Sequence, residues 1–121
     1  MTRPNEAEFG EYLQSVAPKL PVKIVVISAH IHNYSRFERG GVVFLISGGA
    51  GAKTYAVTRS ADDLYKNPAD VNYHYIRFDF DGKQVNAVMH RVSEGPDGKI
   101  LWETRDSFTL VPPVVAKTKK K

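Results

Sequence analysis

The chain has 121 residues, of which 42% are apolar and 25% charged, and it contains no cysteine. This length and composition fit a single globular domain, and they exclude disulfide bonds, thiolate metal sites and a cysteine nucleophile. All apolar runs are far shorter than the roughly 20 residues that cross a bilayer, and the polar, acidic N-terminus predicts no secretory signal. We therefore expect no membrane association, and no feature indicates a cellular compartment.

The net charge of +4 has a local origin. Four positive charges belong to the C-terminal residues Lys117, Lys119, Lys120 and Lys121. The remaining 13 basic residues balance the 13 acidic ones, so the body of the domain is neutral. Because nucleic-acid binding needs a basic face on the folded body, we expect no nucleic-acid partner. We predict a partial domain at residues 1–111 and a disordered basic tail at residues 112–121.

The first predicted element is a helix. Asn5 and Glu8 have the spacing of a capping box. Apolar residues then recur at helical spacing, at Phe9, Leu13 and Val16. Pro18 and Pro21 end this segment, because proline interrupts helical hydrogen bonding.

Two runs of β-branched and apolar residues follow: VKIVVIS at residues 22–28 and VVFLIS at residues 42–47. Strands covered by protein on both faces have this composition, as in the centre of a parallel or mixed sheet. The polar segment between them, at residues 29–41, ends in two glycines and is predicted to be a loop. A glycine-rich stretch, GGAGAKTY, follows the second run.

The second half of the chain is predicted to be an antiparallel meander. Ser60 and Asp63 first indicate one helical turn, which Asn67-Pro68 ends. Residues 72–80 then alternate, with His74, Ile76, Phe78 and Phe80 on one face. Asp81-Gly82 is a hairpin turn signal, residues 84–93 alternate again, and GPDG precedes one or two final strands at residues 99–110. The predicted fold class is α/β (α+β), with one N-terminal helix, two buried strands and this meander.

Two histidines, His30 and His32, end the first buried run. In an extended backbone, side chains two residues apart point the same way, which would place the imidazoles roughly 7 Å apart. Such a pair can hold one metal ion, or one each of two ions about 3.5–4 Å apart. The end of a buried strand is where α/β sheets bind ligands. Two surface histidines without a functional role are the alternative.

The surrounding sequence resembles the last conserved block of calcineurin-like metallophosphoesterases, in particular their purple acid phosphatase-like branch. In that block a hydrophobic strand leads into Gly-His-x-His, followed by an aromatic residue, an arginine, another strand and a Gly-Gly-x-Gly loop. This sequence has His30 and His32, then Tyr34 and Arg36 in a Tyr-x-Arg extension. The loop glycines correspond to Gly48, Gly49 and Gly51. The resemblance covers about residues 22–110 and implies the C-terminal half of a metallophosphoesterase β-sandwich.

This resemblance also implies a chemistry. His30 and His32 would each ligate one ion of a centre with two divalent metals, zinc, manganese or iron, which holds the phosphate and generates the attacking hydroxide. Tyr34, Arg36 and the three glycines would support the motif. The substrate of the complete enzyme would be a phosphate mono- or diester.

Two departures from the family pattern limit what this chain can do. Ala29 replaces the usual glycine, which matters only if the position requires a positive φ. The upstream motifs Asp-x-His, Gly-Asp-x-x-Asp and Gly-Asn-His are all absent. We therefore expect weak or no metal binding and no activity for the chain alone, and a partner: an N-terminal half, or a second copy paired through exposed strands. The alternative is a non-enzymatic β-rich interaction or nucleic-acid-binding module with an incidental His-x-His.

Three weaker signals have simpler interpretations. SGGAGAKT lacks both glycines of a phosphate-binding P-loop, since Ser47 and Ala52 occupy their positions. His74 and His90 lie on successive predicted strands, but His74 shares a face with apolar residues and is predicted to be a hydrogen-bonded core histidine. Aromatic residues of the meander are predicted to pack a core rather than to stack bases, at Tyr73, Tyr75, Phe78, Phe80 and Trp102.

Overall fold

The computed structural model describes residues 4–67 and 71–113. An α-helix and a short 3₁₀ turn precede six strands, which form two three-stranded sheets. The helical elements are α1 (Pro4–Val16) and the 3₁₀ turn Ala17–Lys19. The strands are β1 (Val25–Ser28), β2 (Tyr34–Arg39), β3 (Val42–Ser47), β4 (Tyr73–Phe80), β5 (Val85–Glu94) and β6 (Ile100–Leu110). The predicted α+β class is confirmed. Among the described residues, no helix has the length and apolarity needed to cross a membrane.

The helix α1 begins at Pro4, one residue before the predicted cap, because proline fits the first helical turn. It ends at Val16, and Pro18 then lies in the 3₁₀ turn. Its side chains pack loosely, with Phe9 and Tyr12 both more than half exposed. The helix is thus an adjunct to the sheets rather than part of the core.

The first sheet has the order β1-β3-β2, with β1 parallel and β2 antiparallel to the central strand β3. A two-residue turn at Gly40 and Gly41, with φ of +55° and +78°, joins β2 to β3. Positive φ at both residues is the requirement of a type I′ hairpin. The prediction of a loop throughout residues 29–41 was therefore wrong for residues 34–39, which form β2.

The two apolar runs differ in burial. The prediction of a covered strand is confirmed for β3, where Val42, Val43 and Leu45 are buried. It was wrong for β1, which is only four residues long, lies at the edge of its sheet and leaves Ile27 57% exposed. One composition thus describes both a central strand and an edge strand with an apolar outer face.

The second sheet is the predicted antiparallel meander, with the order β4-β5-β6. Its turns contain Gly82 and Gly98, both with positive φ. The last segment is one strand, β6, with a register shift opposite Met89 and His90. Ser60 and Asp63 make a single hydrogen-bonded turn instead of a helical segment, with Asp63 N donating to Ser60 O at 3.1 Å. Pro68 and most of the predicted basic tail, residues 114–121, lie outside the described residues.

The core lies between the two sheets. Its buried members come from β2, β3, β5, β6 and the segment before β4: Tyr34, Val43, Leu45, Tyr65, Met89 and Leu110. Ile76 and Phe78 pack against this cluster from β4. The inner faces of both sheets are thereby buried, and the loop after β1 is fixed at one end of this core.

Candidate metal site at the histidine loop

The histidine loop, residues 29–33, is not extended. Ile31 N donates to Ala29 O at 3.0 Å, and Asn33 N donates to Ile31 O at 2.8 Å. Hydrogen bonds between residues two apart define γ-turns, so each histidine is the central residue of one. His30 has a φ of +77°, which is the rare γ-turn geometry for an L-residue. The prediction that the two histidines lie on an extended backbone was therefore wrong.

The two histidines have different surroundings. His30 is exposed, whereas His32 is partly buried beside Tyr55, with ring centroids 5.3 Å apart. The Nδ1 atom of His32 lies 3.0 Å from the backbone oxygen of Lys53. Because a carbonyl oxygen can only accept, Nδ1 carries the proton in this contact. In the neutral ring Nε2 then keeps its lone pair, the form in which histidine ligates metals.

Ala29, which stands where the family pattern has glycine, is compatible with the backbone conformation of the loop. In the described chain, His30 is the only non-glycine residue with positive φ, so Ala29 does not need the freedom of glycine. The strained conformation lies one residue later. Strain of this kind costs about 1–3 kcal/mol and persists only where neighbouring contacts impose it.

Two of the three motif glycines are required by close packing. A Cβ on Gly48 would clash with the carbonyl oxygen of Ile31, inside the histidine loop, and Gly48 N donates to Asn33 O at 3.0 Å. A Cβ on Gly49 would clash with Asn72 O and with the ring of His74. Gly51 differs, because its Cβ would meet no atom within 4 Å. The glycine loop therefore supports the histidine loop through its first two glycines.

Asn33 fixes the loop immediately after His32. It is fully buried, and its Oδ1 accepts from Tyr34 N at 2.8 Å, Asn72 Nδ2 at 2.8 Å and Arg59 Nη2 at 3.2 Å. Its Nδ2 donates to Tyr55 O at 2.6 Å. Four hydrogen bonds of one side chain thus join the histidine loop to the start of β2 and to three residues of the segment between β3 and β4.

Arg59 and Asp63 extend this network. Arg59 Nη1 donates to Asp63 Oδ2 at 2.8 Å and to Tyr34 O at 2.8 Å. The Asp63 side chain is 1% exposed, and its Oδ1 accepts from Arg36 N and Tyr65 N. The segment between β3 and β4 is therefore ordered by buried polar contacts rather than by regular secondary structure.

Tyr34 and Arg36, the predicted supporting residues, both contact Asp106 on β6. Tyr34 Oη donates to Asp106 Oδ2 at 2.7 Å, and Arg36 binds both carboxylate oxygens at 2.8 and 3.1 Å. Burial, and then the bond to Asp106, raise the pKa of the Tyr34 hydroxyl above its usual range. Burial opposes the charge of Arg36, but its contacts with Asp106 raise the pKa of the guanidinium. These contacts join the two sheets next to the histidine loop.

His74 is the buried, hydrogen-bonded histidine that the sequence predicts. Its Nδ1 donates to Asn72 O at 2.6 Å, which leaves Nε2 to accept from the Ser47 hydroxyl at 2.9 Å. Burial lowers its pKa, although the bond to Asn72 O acts in the opposite direction. His90 pairs with Tyr75 in the sheet, one position out of register with His74, so the two histidines lie on opposite faces and cannot share a metal.

Several residues that position the site were not identified from the sequence: Asn33, Arg59, Asp63, Asn72 and Asp106. Asn33 directly follows His32, whereas the other four are distant in sequence from the histidines, and none belongs to a short motif. One signal could have found Arg59, Asp63 and Asn72. The segment between β3 and β4 has no apolar periodicity but contains several Asn, Asp and Arg residues, and backbone groups in such a segment need side-chain partners.

The described side chains provide an incomplete metal shell. Among residues 4–67 and 71–113, no group of three or more His, Cys, Asp or Glu side chains is placed to hold an ion. Structural zinc is usually held by four ligands, and catalytic zinc by three plus water. His32 has suitable chemistry for one ligand position and His30 is accessible for a second, so further ligands would have to come from elsewhere.

Comparison with known proteins identifies the fold. No family model matches the sequence, and neither does any curated protein. The structure is similar to the crystal structure of Vps29 from Chaetomium thermophilum, with a TM-score of 0.55 and 18% sequence identity. The match covers 89% of this chain and 52% of Vps29, so the chain spans about half the length of that protein. At this identity the likeness shows the fold alone: over the part that it matches, the chain has the metallophosphoesterase-like fold of Vps29.

Proposed function

We propose that this chain supplies the histidine-loop half of a metal-dependent phosphoesterase of the purple acid phosphatase-like branch. The observation that carries this proposal is the His32 side chain, whose Nδ1 is bound to a backbone oxygen and whose Nε2 is left as the ligating atom. Such a contact fixes the tautomer and the ring orientation of a metal ligand. This contact supports a role for His32 as a ligand over the alternative of an incidental surface histidine.

The chain's own residues have distinct roles in this proposal. His32 and His30 each offer one imidazole to a divalent zinc, manganese or iron ion. The two γ-turns set the separation of the imidazoles, and Asn33 and Gly48 hold that geometry in place. When bound, the metal pair supplies the nucleophilic hydroxide and neutralises charge on a phosphate mono- or diester.

The other ligands would come from a completing polypeptide that carries the bridging aspartate, the asparagine and the remaining histidines. An open cleft of about 540 Å³ is suited to its binding. The open cleft has apolar walls that come from β1, the segment before it and the second sheet: Val22, Val25, Ile27, Phe78, Phe80 and Leu110. β1 pairs only with β3 within the described structure, so its other edge can accept a further strand.

The test is reconstitution. The chain is co-expressed with an N-terminal metallophosphoesterase half that contains Asp-x-His, Gly-Asp-x-x-Asp and Gly-Asn-His. We expect a 1:1 complex that hydrolyses an aryl phosphate when manganese or zinc is added. His32→Ala should abolish turnover without dissociating the complex, while the matched substitution His90→Ala should leave turnover within twofold. The same activity in the chain alone, or full activity in His32→Ala, would contradict the proposal.

A non-enzymatic interaction module is the second candidate. It is favoured by the exposed apolar walls of the open cleft, because large exposed apolar patches mark binding surfaces in soluble proteins. The same co-expression separates the candidates. Complex formation without metal binding at His32, measured by calorimetry, would support the module and exclude the enzyme. Pairing of two copies through β1 would appear as a dimer in light scattering of the chain alone.

A further inference from the structure

A small aromatic corner lies on the outer face of the second sheet, away from the core. It is formed by Tyr73 and Tyr75 of β4, Val92 of β5 and Trp102 of β6, with His74 and loop residues 49–51 as its wall. These residues line a cavity of about 390 Å³ that is open to solvent. Pockets for small molecules occupy about 300–1,000 Å³, so this cavity can accept one ring system.

The aromatic side chains in this corner are exposed. Trp102 is 58% and Tyr75 48% exposed, which contradicts the expectation that they pack a core. The expectation holds for Phe78, which packs against the core cluster, and fails for Phe80, which is 79% exposed. Tyr75 and Trp102 are exposed because of the strand register. They lie on the face of the sheet opposite Ala87 and Met89, which are buried.

The rings are arranged to receive another ring. Tyr75 and Trp102 have centroids 5.4 Å apart and planes inclined at 71°. A flat ligand stacked on one of them therefore meets the other nearly edge-on, and both contacts are favourable for aromatic quadrupoles. The ring of His90, the residue paired with Tyr75 across the sheet, also packs against that tyrosine, with centroids 5.1 Å apart.

The wall of the corner offers hydrogen bonds. Ala50 and Gly51 make no hydrogen bond with another residue of the described structure. Their N–H groups therefore remain available to acceptor atoms on a ligand. The space around the Cα of Gly51 is open, which keeps the mouth of the cavity clear.

The lining also excludes other ligands. Among the described residues, no Asp, Glu, Lys or Arg lines the cavity, and burial lowers the pKa of its one histidine, His74, so an ammonium group would lack a counter-charge and a phosphate group would lack a cation. A second copy of the chain is equally unsuited to this surface. Ile100, Tyr75 and Trp102 are each about half exposed and offer on the order of 400 Å², half of what one partner contributes to a stable interface.

We infer that the aromatic corner binds a small, neutral, planar heteroaromatic ring with hydrogen-bond acceptors at its edge, of the kind found in nucleosides. The ring stacks on Trp102 or Tyr75, and its acceptors meet the N–H groups of residues 50–51. This inference does not depend on the proposed phosphoesterase function, because the corner uses neither His30 nor His32.

The experiment uses the single tryptophan of the chain, Trp102, as its reporter. Uridine and adenosine are titrated into the purified chain, and we expect saturable quenching of tryptophan fluorescence. Gly51→Val, which places a side chain in the open mouth, should weaken binding at least tenfold. Ala52→Val creates the same side chain at the neighbouring position, which does not line the cavity, and should leave binding within twofold. Thermal unfolding of both variants establishes that each is folded.

Several outcomes would overturn the inference. One is that neither nucleoside quenches the fluorescence saturably. Another is that a nucleoside binds the wild-type chain and Gly51→Val equally well. The third is that tetramethylammonium quenches more strongly than uridine. Binding of an oligothymidylate much more tightly than uridine, with a steep dependence on salt, would show a nucleic-acid strand as the ligand instead. Tyr75→Ala provides a second variant in which the reporter is retained, and it too should lose at least tenfold in affinity.

Discussion

The histidine loop and the open cleft flank the same short strand, β1, yet different interactions stabilise them. The histidine loop is held by buried polar side chains whose hydrogen bonds are made within the chain, with Asn33 and Asp63 almost inaccessible to solvent. The open cleft is apolar, and Ile27 and Phe80 remain more than half exposed. The proposed ligand His32 can thus be positioned before any metal or partner binds, while the cleft gains its stabilising contacts only when something covers it.

This difference follows from the cost of leaving each kind of group without a partner. A buried polar group without a hydrogen bond costs about 1–3 kcal/mol, so the histidine loop must be satisfied internally if the chain is to fold. An exposed isoleucine only forgoes about 2 kcal/mol of burial, which a domain tolerates. The polar region is therefore complete in one chain, whereas the apolar region can be completed by another.

The largest predicted effect tests this contrast directly. Asn33→Ala removes four hydrogen bonds and leaves buried groups of Arg59 and Asn72 without one of their partners. We expect the free energy of unfolding to fall by about 3 kcal/mol. Ile27→Ala, in the open cleft, should lower it by less than about 1 kcal/mol, because that side chain is 57% exposed. Urea denaturation of both variants, followed by circular dichroism, provides the measurement.

Similar losses in the two variants would contradict the contrast. A loss for Ile27→Ala as large as that for Asn33→Ala would mean that the open cleft is already covered in the isolated chain, for example by a second copy. Repeating the denaturation at two protein concentrations distinguishes this case, since the stability of a dimer depends on concentration.

The meander and the buried strand β3 could be predicted because their signals are local. Strict alternation and turn dipeptides such as Asp81-Gly82 determine strands and hairpins within a few residues. The strand β2 was missed because its residues are mostly polar, although Gly40-Gly41 before an apolar run is a hairpin signal. The edge position of β1 depends on which strands lie beside it, and its composition does not contain that information.

The histidines themselves could be found from their spacing and flanking motif, but the geometry of the loop could not. Two successive γ-turns arise from contacts with Gly48 and Asn33, and Asn33 in turn depends on Arg59 and Asn72, which are far away in sequence. The members of such a side-chain network do not recur at a regular spacing in the sequence. The network becomes visible only when the fold brings its members together.

Two glycines in one loop provide an intermediate test of how tightly the histidine loop is packed. Gly48→Ala places a methyl group against the carbonyl oxygen of Ile31, so we expect a loss of about 2 kcal/mol from overpacking. Gly51→Ala meets no atom within 4 Å and should change stability by less than about 0.5 kcal/mol. Thermal unfolding of both variants checks the difference. Equal stability would show that residues 29–33 can move away at little cost, and that they are not preorganised.

The smallest predicted effect concerns pH and His74, which links the two sheets through Ser47. Burial lowers the pKa of His74 below the ordinary value of 6.5, so the folded state favours the neutral ring. Between the folded pKa and 6.5 the unfolded chain binds more protons than the folded one, and stability therefore rises with pH in that range. The contribution is fully present above pH 6.5 and declines as the pH falls toward the folded pKa.

The substitution His74→Gln isolates this contribution. The variant should be less stable than the wild-type chain at pH 7.5, because it cannot reproduce both the bond to Ser47 and the bond to Asn72 O. The difference between the two proteins should shrink as the pH is lowered to 5, since only the wild-type chain carries the buried ring that must be kept neutral. Urea denaturation at half-unit intervals between pH 5 and 7.5 measures this difference. A difference that is constant over the range would mean that His74 accepts a proton in the folded state as readily as in the unfolded chain, and that solvent reaches its ring despite its position between the sheets.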